Sequence, residues 1–278
     1  MTEKKDKKNI KVAICLSGLL RDWEQSMISI KNKLIDSLIE SDAEVDLFIH
    51  SWESESTMID DKWKINVVEE TNTNEEETHI HTNEDKPMDM RSQSVSKIID
   101  IIHTEIFPVT DWQLEKQSTV TKTIDKIKKD LGKDYKKKWS PHNFSCWLYS
   151  LYKSTELKNN FAKFHNIEYD YVIRVRTELH FEKKLTMNDL ELVPENGILI
   201  PKGGDAKARG INDMFAIGTS ESIDWYCDLV HRIKDYNERN PHQILSQHVY
   251  KWEKENQNAN IIRFDFPYKI RGNKPSGM

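Results

Sequence analysis

The chain is poor in the features that most directly disclose function. Cysteine occurs three times in 278 residues, at Cys15, Cys146 and Cys227. The number is odd, the spacing wide and CxxC pairs absent, which argues against a disulfide framework and against a cysteine zinc site. Each lies in an apolar stretch, so buried thiols in a reducing compartment are expected. Long apolar runs are lacking too. The opening "MTEKKDKKNIKVAICLSG" carries charge followed by an apolar run only as long as a strand, too short and too quickly broken for a leader or a membrane span. Thr2 and the final "PSGM" match no lipidation motif. The expectation is a cytoplasmic protein with no membrane span.

Positive charge is not in excess either. Lys and Arg number 41 against 46 Asp and Glu, a net charge of −5, which argues against a protein that coats nucleic acid. The nine glycines form neither a GxGxxG dinucleotide loop nor a GK[ST] phosphate loop. GxSxG, HExxH and the kinase loops are missing as well. His79 and His81 in "HIH" sit in an acidic low-complexity stretch and carry no metal signal beyond their identity.

What is present is an alternation of strands and helices. "IKVAICL" is a continuous apolar run of the kind buried on both faces of a parallel sheet. "DWEQSMISIKNKLIDSLIES" repeats Met27, Ile30, Leu34, Ile35 and Leu38 at helical spacing behind the N-cap candidate Asp22. "EVDLFIH" is a second strand, completing a βαβ opening. Helical patterns recur at "SQSVSKIIDIIHTEIF", "STVTKTIDKIKKDLGKDYKKK" and "NFSCWLYSLYKSTELKNNFAKFH", strands at "NGILIPK", "DMFAIGT" and "NIIRFDF", and further helices around residues 222–236 and 242–255. The pattern predicts one α/β domain over 1–278, with a mostly parallel sheet and helices on both faces. It carries a low-complexity insertion at about 67–87, dispensable for folding because it has little apolar surface to bury, and a helical insertion at about 92–140.

Ligands of open α/β sheets bind beyond the carboxyl ends of the strands. Beyond the first strand stand Ser17, Gly18 and Arg21; beyond the second, His50 and Trp52. "YDYVIRVRTELHF" reads as one strand with Arg174, Arg176, Glu178 and His180 on a single face. Guanidinium groups bind phosphate bidentately, and a hard carboxylate oxygen can hold a divalent ion that bridges two phosphates. A nucleoside-diphosphate sugar suits such a face, and so does mutual neutralisation on a solvated strand.

The segments "KVAICLSGLLRDWEQS", "DLFIHSWES", "YSLYKSTELK", "YDYVIRVRTEL", "INDMFAIGTSESIDWY" and "NPHQILSQHVY" occur in an order that resembles the glycosyltransferases of bacterial surface-polysaccharide clusters and giant viruses, including the WavE lipopolysaccharide-synthesis type. The likeness spans about 10–52 and 144–250. It implies a GT-A (Rossmann-like) fold, transfer of a sugar from a nucleotide-sugar donor, a UDP-sugar for preference, to a hydroxyl of a glycan acceptor, and a divalent metal, Mn²⁺ or Mg²⁺. It also implies donor contacts from Ser17, Gly18, Arg21, Arg174 and Arg176, with Glu178 as metal ligand where such proteins usually have Asp. His180, beside it on the same face, either completes the metal shell or faces solvent. His242 and Gln243 follow Pro241 where the family tends to show an acid. An inverting transfer needs a base for the acceptor hydroxyl. Asp213 is the residue expected to supply it, with Asn212 as a sugar-hydroxyl partner and an ordinary loop-capping Asp as the plainer reading. A non-catalytic nucleotide- or glycan-binding relative and a nucleotidyltransferase on a similar sheet stand as the rival functions.

Overall fold

The computed structural model describes residues 9–20, 23–53, 95–132, 140–203, 210–236 and 240–270. Arg21, Asp22, the 67–87 segment and the two histidines of "HIH" lie outside these residues.

The first strand, β1 (Lys11–Ser17), is buried from Val12 onward. Helix α1 (Trp23–Ile30) passes through a π-helical turn at Lys31–Ile35 into α2 (Asp36–Ile39). The apolar residues that recur along this run, Met27, Ile30, Leu34, Ile35 and Leu38, are all buried. Strand β2 (Glu44–Glu53) then returns parallel to β1, in register from Lys11 opposite Glu44 to Ser17 opposite His50. Next come α3 (Val95–Ile101), β3 (Asp111–Lys116), α4 (Thr121–Asp130) and the long α5 (Pro141–His165). Helix α5 starts where Ser140 accepts a hydrogen bond from the Asn143 amide and Pro141 occupies the first turn, and it ends at Asn166 in the left-handed conformation. The remainder is β4 (Tyr171–Arg176), β5 (Leu179–Phe181), α6 (Met187–Leu190), β6 (Ile198–Pro201), β7 (Phe215–Gly218), α7 (Ser220–Cys227), α8 (Leu229–Arg232), α9 (Pro241–Glu255), β8 (Ile261–Phe264) and β9 (Tyr268–Ile270).

Seven strands form the main sheet in the order β3-β2-β1-β4-β7-β6-β8. All neighbours are parallel except β7, which runs against both β4 and β6. The expected α/β class with a mostly parallel sheet holds, and both faces are covered. Ala13, Cys15 and Phe48 look toward α4, α5, α7 and α9. Val12, Ile14 and Leu16 look the other way, toward α1, α2, α3 and the small β5–β9 pair. Among the described residues no helix is long and apolar enough to cross a membrane, and the three cysteines are free and buried.

Two elements depart from the sequence reading. The stretch from Tyr169 to Phe181 is not one strand. β4 stops at Arg176, Thr177 donates its hydroxyl to the Leu19 carbonyl, and β5 begins at Leu179 in the separate small sheet with β9. The side-chain alternation is real, but the Thr177 bond draws the chain toward the loop after β1 and breaks the ladder. The 92–140 stretch, read as helical, contributes β3 to the edge of the main sheet beside β2. Its "DWQLEK" is polar because an edge strand buries little, and period-two hydrophobicity therefore did not mark it.

Candidate functional site

The connections from β1 and from β4 leave in opposite directions. β1 leads through α1 and α2 to β2 on one side, and β4 leads toward β6 and β7 on the other. In open α/β sheets ligands sit at such a switch point, in a crevice outside the carboxyl ends of the two strands. Because β7 is antiparallel, the residues that enter it, including Asp213, arrive at this same edge.

Ser17 closes β1, nearly fully buried, and its hydroxyl lies 3.5 Å from Arg174 Nη2. Gly18 follows with φ of +126° and donates its amide to the His50 carbonyl at 3.3 Å. A Cβ there would stand 3.3 Å from Thr177 Oγ1 in a backbone region side chains rarely adopt, so glycine keeps the crevice floor low.

Arg174 is 0% exposed. Its Nη1 donates to the Asp213 carbonyl, its Nη2 faces Ser17, and its guanidinium carbon lies 5.9 Å from the centre of the Trp147 ring. No carboxylate of the described residues forms a salt bridge with it, and its Nε has no hydrogen-bond partner among them. A buried guanidinium without a counter-charge is costly. Two further donors in the interior are also without hydrogen-bond partners among the described residues, Trp147 Nε1 and the Tyr226 hydroxyl. Burial pushes the Tyr226 hydroxyl upward in pKa, opposed by the Arg174 charge and assisted by that of Asp213, which puts all three in one electrostatic neighbourhood.

Arg176, one pleat further along the face, is compensated. Its Nη2 donates to Glu178 Oε1, and its Nη1 lies 3.4 Å from Asp213 Oδ2. Burial works to lower the Arg176 pKa, but the Asp213 and Glu178 charges outweigh it and hold the pKa above its ordinary value. The other Asp213 oxygen, Oδ1, lies 3.7 Å from His242 Nδ1 at the start of α9 and accepts no hydrogen bond from the described residues. Asp213 thus joins the cluster through Arg176 on one side and His242 on the other.

The other candidate residues are placed differently. Asn212 is 0% exposed and spends its amide internally: Nδ2 donates to the Gly203 carbonyl at 2.9 Å and the Tyr268 hydroxyl at 2.6 Å, while Oδ1 accepts from the Met214 amide. His50 is also fully buried, with Nδ1 2.8 Å from Ser150 Oγ and Nε2 3.0 Å from Glu115 Oε2. Burial lowers the His50 pKa against the pull of Glu115. A neutral ring fits these contacts, with Nε2–H donating to Glu115 and Nδ1 accepting from Ser150. Trp52, 3% exposed, packs against His50 and Tyr149. These two residues tie β2 to β3 and α5. His180 stands on β5 opposite Lys269.

The divalent ion implied by the resemblance finds no ready cage. Among the described residues no group of three His, Cys, Asp or Glu side chains is arranged to hold a metal, and the two nearest carboxylates, Glu178 and Asp213, flank the guanidinium of Arg176. A cation already occupies the space between the acids.

Sequence reasoning missed Trp147, Tyr226 and the contact of His242 with Asp213. Trp147 and Tyr226 are helical residues in apolar runs, where an aromatic is indistinguishable from core. His242 was visible as a departure from an expected acid, but its partner was not.

No protein-family model matches the chain, and no curated protein sequence does. Among solved structures, the glycosyltransferase GlyE of Streptococcus pneumoniae TIGR4 is similar over 92% of this chain and 46% of that one, at 11% identity and a TM-score of 0.36. The chain spans less than half the length of that structure.

Proposed function

We propose that the protein is a nucleotide-sugar-dependent glycosyltransferase of the cytoplasm, with the donor diphosphate at the β1–β4 switch point, a UDP-sugar as the preferred donor and a glycan hydroxyl as acceptor. The observation that carries this reading is Arg174, a fully buried guanidinium without a carboxylate partner among the described residues, at the crevice where α/β sheets take phosphate-bearing ligands. An anion reaching Arg174 past Ser17 would supply the missing counter-charge; the guanidinium is closed to solvent in the free protein, so binding must open this end of β1.

Arg176 orients Asp213 through Oδ2 and leaves Oδ1 as the oxygen to accept the proton of an attacking hydroxyl once substrate binding opens the site, since that oxygen is buried in the free protein. His242 lies 3.7 Å from it. Asn212 acts one step removed, by holding the loop that carries Asp213. A divalent ion, Mn²⁺ or Mg²⁺, belongs to the proposal as a companion of the donor, since Mg²⁺ in particular is commonly held by one or two carboxylates together with substrate phosphates. Glu178 is the carboxylate that would meet it, on giving up its ion pair with Arg176.

The test is thermal stabilisation by UDP, GDP, CMP and dTDP with and without Mn²⁺, followed by donor hydrolysis. A ligand at 100 times its dissociation constant adds about 2.7 kcal/mol of apparent stability. Stabilisation by one nucleotide and slow hydrolysis of its sugar conjugate are expected. No response to any nucleotide removes the reading, and binding without hydrolysis of any donor leaves a nucleotide-binding protein instead.

A further inference from the structure

A second feature adjoins the Asp213 cluster. An open cleft of about 800 Å³ runs along α9, walled by Gly210, Ile211, Tyr236 and Arg263 opposite a helical stripe that includes Gln243, Gln247, Tyr250 and Lys254. Its size falls in the range of ligand sites. The stripe follows the i, i+4, i+7, i+11 spacing of one helix face, while Ile244, Leu245, His248, Val249 and Trp252 bury the opposite face.

The cleft meets the proposed site through the backbone, although Asp213 and His242 themselves do not line it. Ile211 donates its amide to the His242 carbonyl at 3.3 Å, Gly210 and Ile211 lead directly into Asn212 and Asp213, and His242 is the neighbour of both Gln243 and Asp213 Oδ1. Its lining combines two phenol rings, two carboxamides and three cations, with Glu255 the one acid among the lining residues. Tyr250 is 37% exposed. Lys251 pairs with Asp235 at 3.2 Å, whereas Lys254 is exposed and has no salt bridge with the described residues. An ordinary solvated helix face would show the polar stripe. It would not have an opposing wall.

We infer that this cleft receives the acceptor, and that the acceptor is an anionic saccharide, one bearing a carboxylate or phosphate group. The inference rests on the transferase reading. Aromatic rings offer flat apolar surface to the C–H faces of a sugar, the carboxamides match its hydroxyls as donor and acceptor together, and Lys254 with Arg263 supplies charge for an acidic substituent. The end of the bound chain nearest Gln243 then lies closest to Asp213.

The experiment is titration calorimetry of the full chain with oligogalacturonate, a phosphorylated oligosaccharide and neutral maltohexaose, in parallel with UDP. Either or both acidic sugars are expected to bind at least tenfold more tightly than maltohexaose and to weaken with added salt. Lys254→Ala and Tyr250→Ala, both at exposed positions, should each weaken the acidic sugar at least fivefold and leave UDP affinity unchanged. The inference is overturned if maltohexaose binds as well as the acidic sugars, if no sugar binds while UDP does, or if neither substitution changes sugar affinity. If acidic sugars bind through Lys254 and Tyr250 but no nucleotide does, the cleft stands as an anionic-saccharide site and the transferase reading is what fails.

Discussion

His248 lies flat against Trp225, with ring planes 5° apart and centroids 5.1 Å apart. The stack seals the interior side of α9 against α7. Both ring nitrogens are used: Nε2 donates to the Trp225 carbonyl at 2.6 Å, and Nδ1 accepts from the Tyr236 hydroxyl at 2.7 Å. The neutral ring fits this arrangement, and a protonated ring would have to turn the Tyr236 hydroxyl from donor to acceptor.

Acid should therefore weaken the fold through His248. Burial lowers its pKa from 6.5 to about 4. The unfolded chain takes up the proton first as pH falls, so stability is fully present above about pH 6.5 and is lost progressively toward pH 4. The contribution is on the order of 3 kcal/mol, at about 1.4 kcal/mol per pKa unit. Urea unfolding of the wild type and His248→Gln at pH 7.5, 6 and 5 checks it. The stability gap between the two proteins should narrow with each step down. A constant gap would mean the ring is already protonated, or is exposed.

Arg174→Met should leave the free protein at least as stable as the wild type, because an apolar side chain of similar length replaces a buried charge that has no carboxylate partner among the described residues. UDP affinity should fall at least tenfold, about 1.4 kcal/mol. Calorimetry with a melting curve separates the outcomes. A large loss of stability with UDP binding intact would make Arg174 a structural element.

Glu178→Gln keeps shape but removes one of the two charges around Arg176. If Glu178 meets a donor-borne cation, the Mn²⁺ dependence of UDP binding should disappear in the Gln form and persist in Glu178→Asp. Unchanged Mn²⁺ dependence in the Gln form would take Glu178 out of the site and assign the ion to other ligands.

Glu115→Ala strips the acceptor from a buried imidazole N–H and removes the Tyr149 partner as well. Leaving a buried donor unmatched costs about 1–3 kcal/mol, so the melting temperature should drop by several degrees. Amide exchange should quicken first in Asp111–Lys116, the edge strand that Glu115 anchors to β2. Uniform acceleration across the sheet would contradict a local role.

The sequence disclosed those parts of the fold whose burial is two-sided or strongly periodic. β1, β2 and the run from Trp23 to Ile39 were legible because nearly every inward position is apolar. β3 was not, since Trp112, 43% exposed, and its charged neighbours belong to a half-solvated edge. At the site, Ser17 and Gly18 could be placed at a strand end, and Arg174 and Arg176 on one strand face, from local pattern alone; that the strand stops at Arg176 could not. A packing role is the plainer reading of Trp52, and it holds. That His50 would turn inward could not be read, because its partners Ser150 and Glu115 come from segments 100 and 65 positions away.

The pairing of β1 with β4 also sets an order of events during folding. Ser17 and Arg174 are 157 positions apart, and Asp213 comes later still, whereas β1 and β2 are separated only by one helical crossover. Local pairings form cheaply, and long-range ones must first close a large loop. A chain emerging from the ribosome can join β1 to β2 early, but it has no switch point until β4 arrives between β1 and β7. The crevice should be the last region to mature, so nucleotide binding should lag behind the burial of Trp23 when refolding is followed by stopped flow.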